Sequence, residues 1–562
     1  MRGLRNVGAP RLTWILLGLM SVAAAAVVVI LGLRLSFFND EWYVLLQRPG
    51  LSADAIFEPS NEHLIAMPVL IYKAHIALFG LDDQLPFRLT LAAAFVALGV
   101  VVFLFVRERV GEVIGLAAAA LVLFMGPAWE DLLWSFQVGF VGSLASGIGA
   151  LLALERRDRR GDLCACLLLI LALSFSDLGV PFVLGAFVAV LVRRRPLELW
   201  IALVPGALFA LWWLLYGQHA TSHLSAHNLV RLPGYVVKAP LSGIVSVSGL
   251  HAAASLIGDA LGIHVDADSA EPLLLLAIPI GLALAVMIVR LLRRGWRPSP
   301  ELLAIATVAL SFWALTGANY LPGREPAASR YQLISGTLLI LAAAELARSR
   351  PPRRLAQRAV ALAACVAVGL NVYFLTHGFD VMRRHATLAK ADLGALEIGR
   401  GQVPDGYGLL ESVTHDNALA GVTAGAFYRE TDAHGSPADS PREIATAPLY
   451  ARSSADNVLA AGYGFGLDPA PVAGARQAGC DRAGVGASGE ARLPFRAVRI
   501  VNAGRSKATI GVRRFASPQA LVILGAVARH SAIWLRIPPD RVAVPWHLQT
   551  IEGPAVRVCR PG

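Results

Sequence analysis

Two adjacent carboxylates, Asp40 and Glu41, lie in Phe37-Phe38-Asn39-Asp40-Glu41-Trp42-Tyr43, just past the first long apolar run, Trp14 to Leu33. Acids held against hydrocarbon are costly unless a task requires them. The chemistry open to such a pair is general-base catalysis. A carboxylate takes the proton of an acceptor hydroxyl, which then attacks an electrophilic carbon, an effect worth about 10²–10⁴-fold in rate. The alternative is a solvated pair at a helix end.

A second acid pair, Glu130-Asp131, sits in Gly126-Pro-Ala-Trp-Glu-Asp-Leu-Leu-Trp-Ser-Phe-Gln137 and is flanked by tryptophans. It reads either as part of an interfacial aromatic belt or as a second carboxylate facing the same cavity. There it would hold an acceptor or a divalent cation, Mg²⁺ or Mn²⁺, through oxygen ligands. No metal-ligand spacing accompanies it. Four cations complete the set: His63, Lys73, Arg324 and Arg330. The segment Asn319-Tyr-Leu-Pro-Gly-Arg-Glu-Pro-Ala-Ala-Ser-Arg-Tyr-Gln332 puts two arginines where few bases are expected. A guanidinium binds phosphate in a fork, so a lipid phosphate would account for them. Ion pairing, with Glu325 close in sequence, is the plainer account.

Other signals are weaker. Asp177 is a cavity residue or an exposed turn. Cys164-x-Cys166 lacks metal-ligand spacing. His219, His223 and His227 would share a face only if their segment were helical. No Walker loop, GxSxG or HExxH motif appears, so neither an ATP-driven machine nor a familiar hydrolase is indicated.

The elements that must position these residues are apolar helices. The chain has 562 residues, 56% hydrophobic and 16% charged, against about 25% charged in soluble domains. Candidate spans are 13–34, 86–106, 111–127, 136–154, 163–177, 179–192, 198–216, 271–292, 301–318, 331–347 and 357–376, about eleven transmembrane helices. The breaks between them alternate. One set is arginine-rich: the N-terminal tail, Arg107 and Arg109, Arg156–Arg160, Arg193–Arg195, Arg293–Arg297, and Arg348–Arg358. The other set is richer in acids and aromatics: 35–85, 128–135, the turn around Asp177, 217–270 and 319–330. The positive-inside rule makes the first set cytoplasmic. The N-terminus is then cytoplasmic, and everything after Tyr373 lies outside. The net charge of +11 follows from these breaks, and no basic-aromatic nucleic-acid module is visible.

Within the outer breaks, residues 63–80 suit a helix lying in the interface, and 217–270 a polar loop that could fold as a lid. From about His377 the texture changes. Residues 381–400 look amphipathic, and 401–490 give no clear pattern. After Arg492, short β-like runs at 497–501, 508–515, 520–527, 531–537, 547–551 and 555–559 read as a β-sandwich or jelly-roll-like module. Cys480 and Cys559 would face an oxidising compartment, where a disulfide can close the module; the alternative is two free thiols.

In this arrangement the chain resembles the GT-C fold integral-membrane glycosyltransferases, with protein O-mannosyltransferases and bacterial aminoarabinose transferases the nearest likenesses. The resemblance is carried by Asp40-Glu41 after the first helix and by Glu62-His63-Leu-Ile-Ala-Met-Pro68 running to Leu78-Phe79-Gly80. It continues with Pro86-Phe87-Arg88-Leu89, with Glu130 or Asp131 in the second outer loop, and with Arg330-Tyr331 opening a late helix. It covers about residues 14–376; the basic-Pro-Pro signature is reduced to His63 with Pro68, and 377–562 matches no familiar module. It implies a transmembrane GT-C-like catalytic region, 1–376, and an extracytoplasmic C-terminal domain, 377–562. It implies a polyprenyl-phosphate sugar donor and inverting transfer to an acceptor glycan, lipid or protein on the outer side of the cytoplasmic membrane. By that likeness Asp40 is the base with Glu41 supporting it, and Arg330, His63, Lys73 and Arg324 hold the donor phosphate. A transporter or flippase for lipid-linked or cell-envelope glycans is the rival class. It predicts ionisable residues near mid-membrane and internal repeats, whereas the spans here are mostly free of charge and show no repeat. A non-catalytic membrane scaffold leaves the acids and arginines unexplained.

Overall fold

The computed structural model describes residues 9–261, 278–279, 281–283, 285–286, 289–290, 293, 297–349, 351–409, 417–467, 477–484, 489–540 and 542–561. The chain forms two compact units. The first comprises Met1–Arg34, Gly50–His75 and Gln84–Met382; the second comprises Leu35–Pro49, Ile76–Asp83 and Arg383–Gly562.

The first unit is helical. Its elements are α1 (Ala9–Gly32), α3 (Ala53–Phe57), the start of α4 (Ala66–Phe79), α5 (Leu85–Val110), α6 (Glu112–Leu123), α7 (Trp129–Leu133), α8 (Val138–Glu155), α9 (Arg159–Phe175), α10 (Gly179–Val192), α11 (Trp200–Leu215), α12 (Ala226–Ser248), α13 (Leu250–Leu261), α14 (Pro300–Ala318), α15 (Ser329–Ala347) and most of α16 (Arg354–Ile398). Among the described residues, six helices are long and apolar enough to cross a membrane, or up to eight if each of two bent pairs is one crossing. The helices are compatible with membrane insertion. The count is below the eleven expected from sequence for definite reasons. Helix α10 has only 14 residues, α9 has 17 and opens on Arg159, Arg160 and Asp162, α15 carries Arg330, Gln332 and Glu345, and the candidate 271–292 lies largely outside the described residues. The two bent pairs are α6 with Gly126–Leu133, at 42°, and α12 with α13, at 74°.

Close packing depends on small residues, as in membrane bundles generally. A Cβ at Gly147 on α8 would sit 2.3 Å from the Phe182 ring of α10, and one at Gly126 would sit 1.8 Å from the Asn371 carbonyl oxygen. Helix starts are capped locally. Ser299 Oγ accepts from the Leu302 amide at 3.0 Å with Pro300 next in line, and Asp158 accepts from the Gly161 amide at 2.6 Å. The described part of the expected loop, residues 217–261, is largely helical. Ser225 caps α12, accepting from the Asn228 amide at 3.2 Å, and the helix continues through Pro233 and Pro240. His219, His223 and His227 consequently share no helix; only His227 lies on α12.

The arginine-rich ends of this unit are locked by charge. Arg109, at the end of α5, pairs with both Glu345 on α15 and Glu155 on α8. It also donates to the Phe105 carbonyl at 2.9 Å, with its guanidinium 3.4 Å from the Phe105 ring centroid. Arg193, just past α10, reaches Glu301 on α14 at 2.7 Å, and Ser299 Oγ donates to Glu345 at 2.8 Å.

In the second unit, α2 (Asp40–Gln47) packs on α17 (Ala424–His434) through Trp42 and Phe427, ring centroids 6.3 Å apart. The Asn39 amide donates to the Ala418 carbonyl at 2.8 Å. Gly80, with φ +76°, lets the Leu81 amide reach the His434 carbonyl at 2.8 Å; a Cβ there would meet that oxygen at 2.6 Å. The expected boundary at 377 falls inside α16, which contains no proline between Arg354 and Ile398 and runs unbroken for 45 residues.

After α18 (Pro441–Thr446) and α19 (Leu449–Gly462) come eight strands: β1 (Gln477–Ala483), β2 (Ala491–Leu493), β3 (Ala497–Asn502), β4 (Ala508–Arg513), β5 (Val522–Val527), β6 (Ser531–Arg536), β7 (Trp546–Glu552) and β8 (Val556–Pro561). They form two four-stranded antiparallel sheets, ordered β1-β8-β3-β6 and β2-β7-β4-β5. That order is a jelly roll, two Greek keys wrapped together. The last six strands coincide with the expected runs; β1 and β2 carry too little apolar alternation to stand out. Buried Val498, Ile500, Ile510, Val512, Leu548 and Val558 fill the interior.

Arg514 anchors α19 and the sandwich together. Its buried guanidinium forks onto Asp540 at 2.6 and 2.9 Å, while Asp456 of α19 accepts from the amides of Arg514, Phe515 and Ala516. Cys480 and Cys559, register partners on β1 and β8, are joined by a disulfide across a sequence separation of 79. Loop-closure entropy of that size corresponds to roughly 4 kcal/mol. Cys480→Ser with Cys559→Ser is expected to cost 2–4 kcal/mol, read as a lower denaturant midpoint for loss of β-sheet signal.

A candidate site at one end of the helical unit

A tight turn presents Glu62 and His63. The Ser60 and His63 backbones bond each other at 2.9 and 3.0 Å, with Asn61 at φ +53°, a conformation asparagine tolerates. The Trp212 indole donates to the Phe57 carbonyl at 2.8 Å and pins the preceding segment to α11. Asp177 comes from the turn between α9 and α10, where Ser176 Oγ donates to it at 3.1 Å. Arg324 comes from the loop between α14 and α15.

These four groups form a chain of alternating charge. Asp177 Oδ1 lies 2.8 Å from His63 Nδ1. The contact is an ion pair when the imidazole is protonated. His63 Nε2 lies 3.8 Å from Glu62, and Arg324 forks onto both oxygens of Glu62, Nη2 to Oε2 at 3.3 Å. Burial alone would push the His63 imidazole down, but the carboxylates of Asp177 and Glu62 carry it above 6.5. Burial would likewise push Asp177 up, and His63 pulls it below 3.8 instead.

The four side chains line a cavity of about 270 Å³. They are between 13% and 29% exposed, sheltered yet facing open space. The remaining wall is mixed: Phe140, Phe209, Trp213, Phe312 and Tyr331 supply its aromatic part, and Thr221, Ser222, Thr316 and Asn319 its polar part. Helices α8, α10, α11, α14 and α15 each reach the cavity with the end opposite their arginine-rich break. The unit therefore carries two charged layers, the Arg109 lock at one set of helix ends and this chain at the other.

A second cluster lies where α7 meets α15, and it is built by reciprocal capping. The Glu130 amide donates to Ser329 Oγ at 3.0 Å, and the Arg330 amide donates to Glu130 Oε2 at 3.0 Å. Arg330 Nε stands 3.4 Å from the same oxygen. Arg88, fully buried on α5, donates to the Leu133 carbonyl at 2.6 Å and so fixes the far end of α7. Glu130 is thus committed to the start of α15. Asp131 is fully buried, and neither of its carboxylate oxygens has a hydrogen-bond partner among the described residues. Those residues contain no group of three or more His, Cys, Asp or Glu able to hold a metal ion.

The structure therefore brings together His63 and Arg324, adding Glu62 and Asp177, and separately brings together Glu130, Asp131 and Arg330. Each of the three cations is supplied with a carboxylate. Lys73 is half-buried on α4 in the first unit. Asp40 and Glu41 belong to the second unit, where Glu41 is fully buried and its Oε2 accepts from the Phe38 amide at 2.6 Å. Sequence reasoning missed the aromatic wall and the capping role of Ser329. Neither carries a signal separable from ordinary lipid-facing or loop residues. No protein-family model, no curated protein and no solved structure matches this chain.

The pairing sets a pH dependence. His63, raised in the folded state, contributes stability that is fully present below pH 6.5 and is lost as pH rises through its folded value. Asp177, depressed, contributes stability that is present above pH 3.8 and is lost as pH falls through its folded value. His63→Gln is expected to cost about 1 kcal/mol between these limits. In thermal melts of detergent-purified protein, the gap from wild type should narrow on the alkaline side.

Proposed function

We propose that the chain is a membrane glycosyltransferase of the GT-C type. It moves a sugar, with inversion, from a polyprenyl-phosphate donor to a hydroxyl of an acceptor glycan, lipid or protein on the outer side of the cytoplasmic membrane. One observation supports this above the others. Four ionisable groups gather in one cavity at the helix ends opposite the arginine-rich breaks, although most of the helical residues are apolar. Ionisable groups sheltered in an otherwise apolar helical unit point to a functional site.

Asp40 is the general base in this reading. Glu41 is committed to the Phe38 amide, so it shapes the turn while Asp40 handles the proton. Arg330, Lys73, His63 and Arg324 are the donor-side cations, and the disulfide-closed jelly roll is extracytoplasmic. A Mg²⁺ or Mn²⁺ requirement, if Asp131 takes part in one, is read by chelation in the assay below.

A transporter or flippase for lipid-linked glycans is the second reading. The two bent helix pairs and the buried Asp131 favour it, because broken helices and buried acids build transport sites. Purified protein in liposomes with a donor labelled in the sugar separates the two. A transferase releases polyprenyl phosphate and labels an acceptor; a flippase leaves the glycosyl-phosphate bond intact and changes only the leaflet. Intact donor after prolonged incubation with cell-envelope acceptors would contradict the transferase reading.

A further inference from the structure

The cavity's charge balance narrows what it can hold. Its two cations, His63 and Arg324, are matched one for one by Asp177 and Glu62. A phosphate entering here would have to share a guanidinium whose two terminal nitrogens already fork onto Glu62. It would also meet two fixed negative charges. A neutral ligand with hydroxyls has neither problem. Carboxylates accept from hydroxyls, and the outer N–H groups of His63 and Arg324 donate to them. Each such bond is charge-assisted without any net charge being transferred.

The rest of the lining fits the same ligand. Phe140 stands edge-on to the His63 ring at 6.4 Å, and Trp213 and Phe312 form apolar wall. Aromatic faces are electron-rich and attract positively polarised C–H groups, such as those on one side of a sugar ring. At about 270 Å³ the cavity falls below the roughly 300–1,000 Å³ of sites for drug-sized ligands. That volume matches a single ring, with any phosphate and lipid outside the cavity.

We infer that this cavity is a subsite for one uncharged sugar ring, with Glu62, His63, Asp177 and Arg324 bonding its hydroxyls and Trp213 and Phe140 its apolar face. The identity of the ring as a sugar rests on the glycosyltransferase reading. His63 and Arg324 are then ring-positioning residues, and the phosphate contacts fall to other cations.

The test uses the full chain in a sugar-free zwitterionic detergent, with methyl glycosides of neutral hexoses and pentoses as probes. Saturation-transfer NMR reads ring-proton contact, and inorganic phosphate and farnesyl phosphate are the competitors. At least one glycoside should bind saturably. Asp177→Asn and Trp213→Ala should weaken it about tenfold, the loss of roughly one good contact, while Trp213→Phe retains most binding as the fold control. Neither phosphate should displace it. Displacement by phosphate, or variants indistinguishable from wild type, would overturn the inference. Glycoside binding with no donor turnover would defeat the transferase reading alone. Turnover without glycoside contact would defeat this inference alone.

Discussion

Replacing Arg109 with methionine is expected to cost the purified protein about 3–5 kcal/mol, the usual penalty for stranding a buried charge. Here Glu155 and Glu345 both lose the guanidinium; Glu345, as buried as the arginine, is left with Arg348 at 3.3 Å and Ser299 at 2.8 Å. The guanidinium bridges α5, α8 and α15 at once, so its loss should loosen three helix ends together. Arg109→Lys should recover only part of the loss, because an ammonium cannot fork between two acids. Adding Glu155→Gln and Glu345→Gln to the methionine variant should restore much of the stability. Thermal unfolding of the detergent-solubilised protein reads all of these, and an unchanged midpoint for Arg109→Met would contradict the account of this layer.

Asp40→Asn is expected to lower sugar transfer by about 10²–10⁴-fold, the span associated with a lost general base, with the fold intact. The neighbouring acid should behave differently. Glu41→Gln keeps an oxygen for the Phe38 amide and should retain most activity. Glu41→Ala leaves that amide without its acceptor and should destabilise the start of α2 by about 1 kcal/mol. Labelled-donor turnover and melting temperature, measured on the same three variants, separate the proton-handling acid from the structural one. Equal activity losses in Asp40→Asn and Glu41→Gln would remove the division of labour between them.

Much of the helical unit was legible because its signals are local. Long apolar runs became helices, and the arginine-rich breaks marked the layer where Arg109 and Arg193 now pair. Arg324 and Arg330 stood out as bases where few were expected, and His63 as a candidate cation. Their partners did not, because the contacts are made in three dimensions. Glu62 and Arg324 are 262 residues apart, and no periodicity reports a pairing over that distance. The plainer account of Arg324 named Glu325, its chain neighbour, whereas Glu325 accepts from Tyr320 and Gly323 instead. Asp177 had two open readings, cavity or turn, and only packing decides between them. The texture change near His377 was real in composition but ended no helix, since nothing there breaks the α16 backbone. Residues 226–248 misled for the opposite reason: two prolines suggested a loop, yet Ser225 starts a helix that absorbs both.

The central claim is that the cavity beside His63 and Arg324 handles part of a lipid-linked sugar. The most direct measurement is photolabelling in native membranes with a polyprenyl-phosphate sugar that carries a photoreactive group on the ring, followed by peptide mapping. The account predicts label on the cavity wall, on peptides containing Phe140, Trp213 or Phe312, abolished by excess unlabelled donor. Label confined to other helices, or insensitive to competing donor, would contradict it.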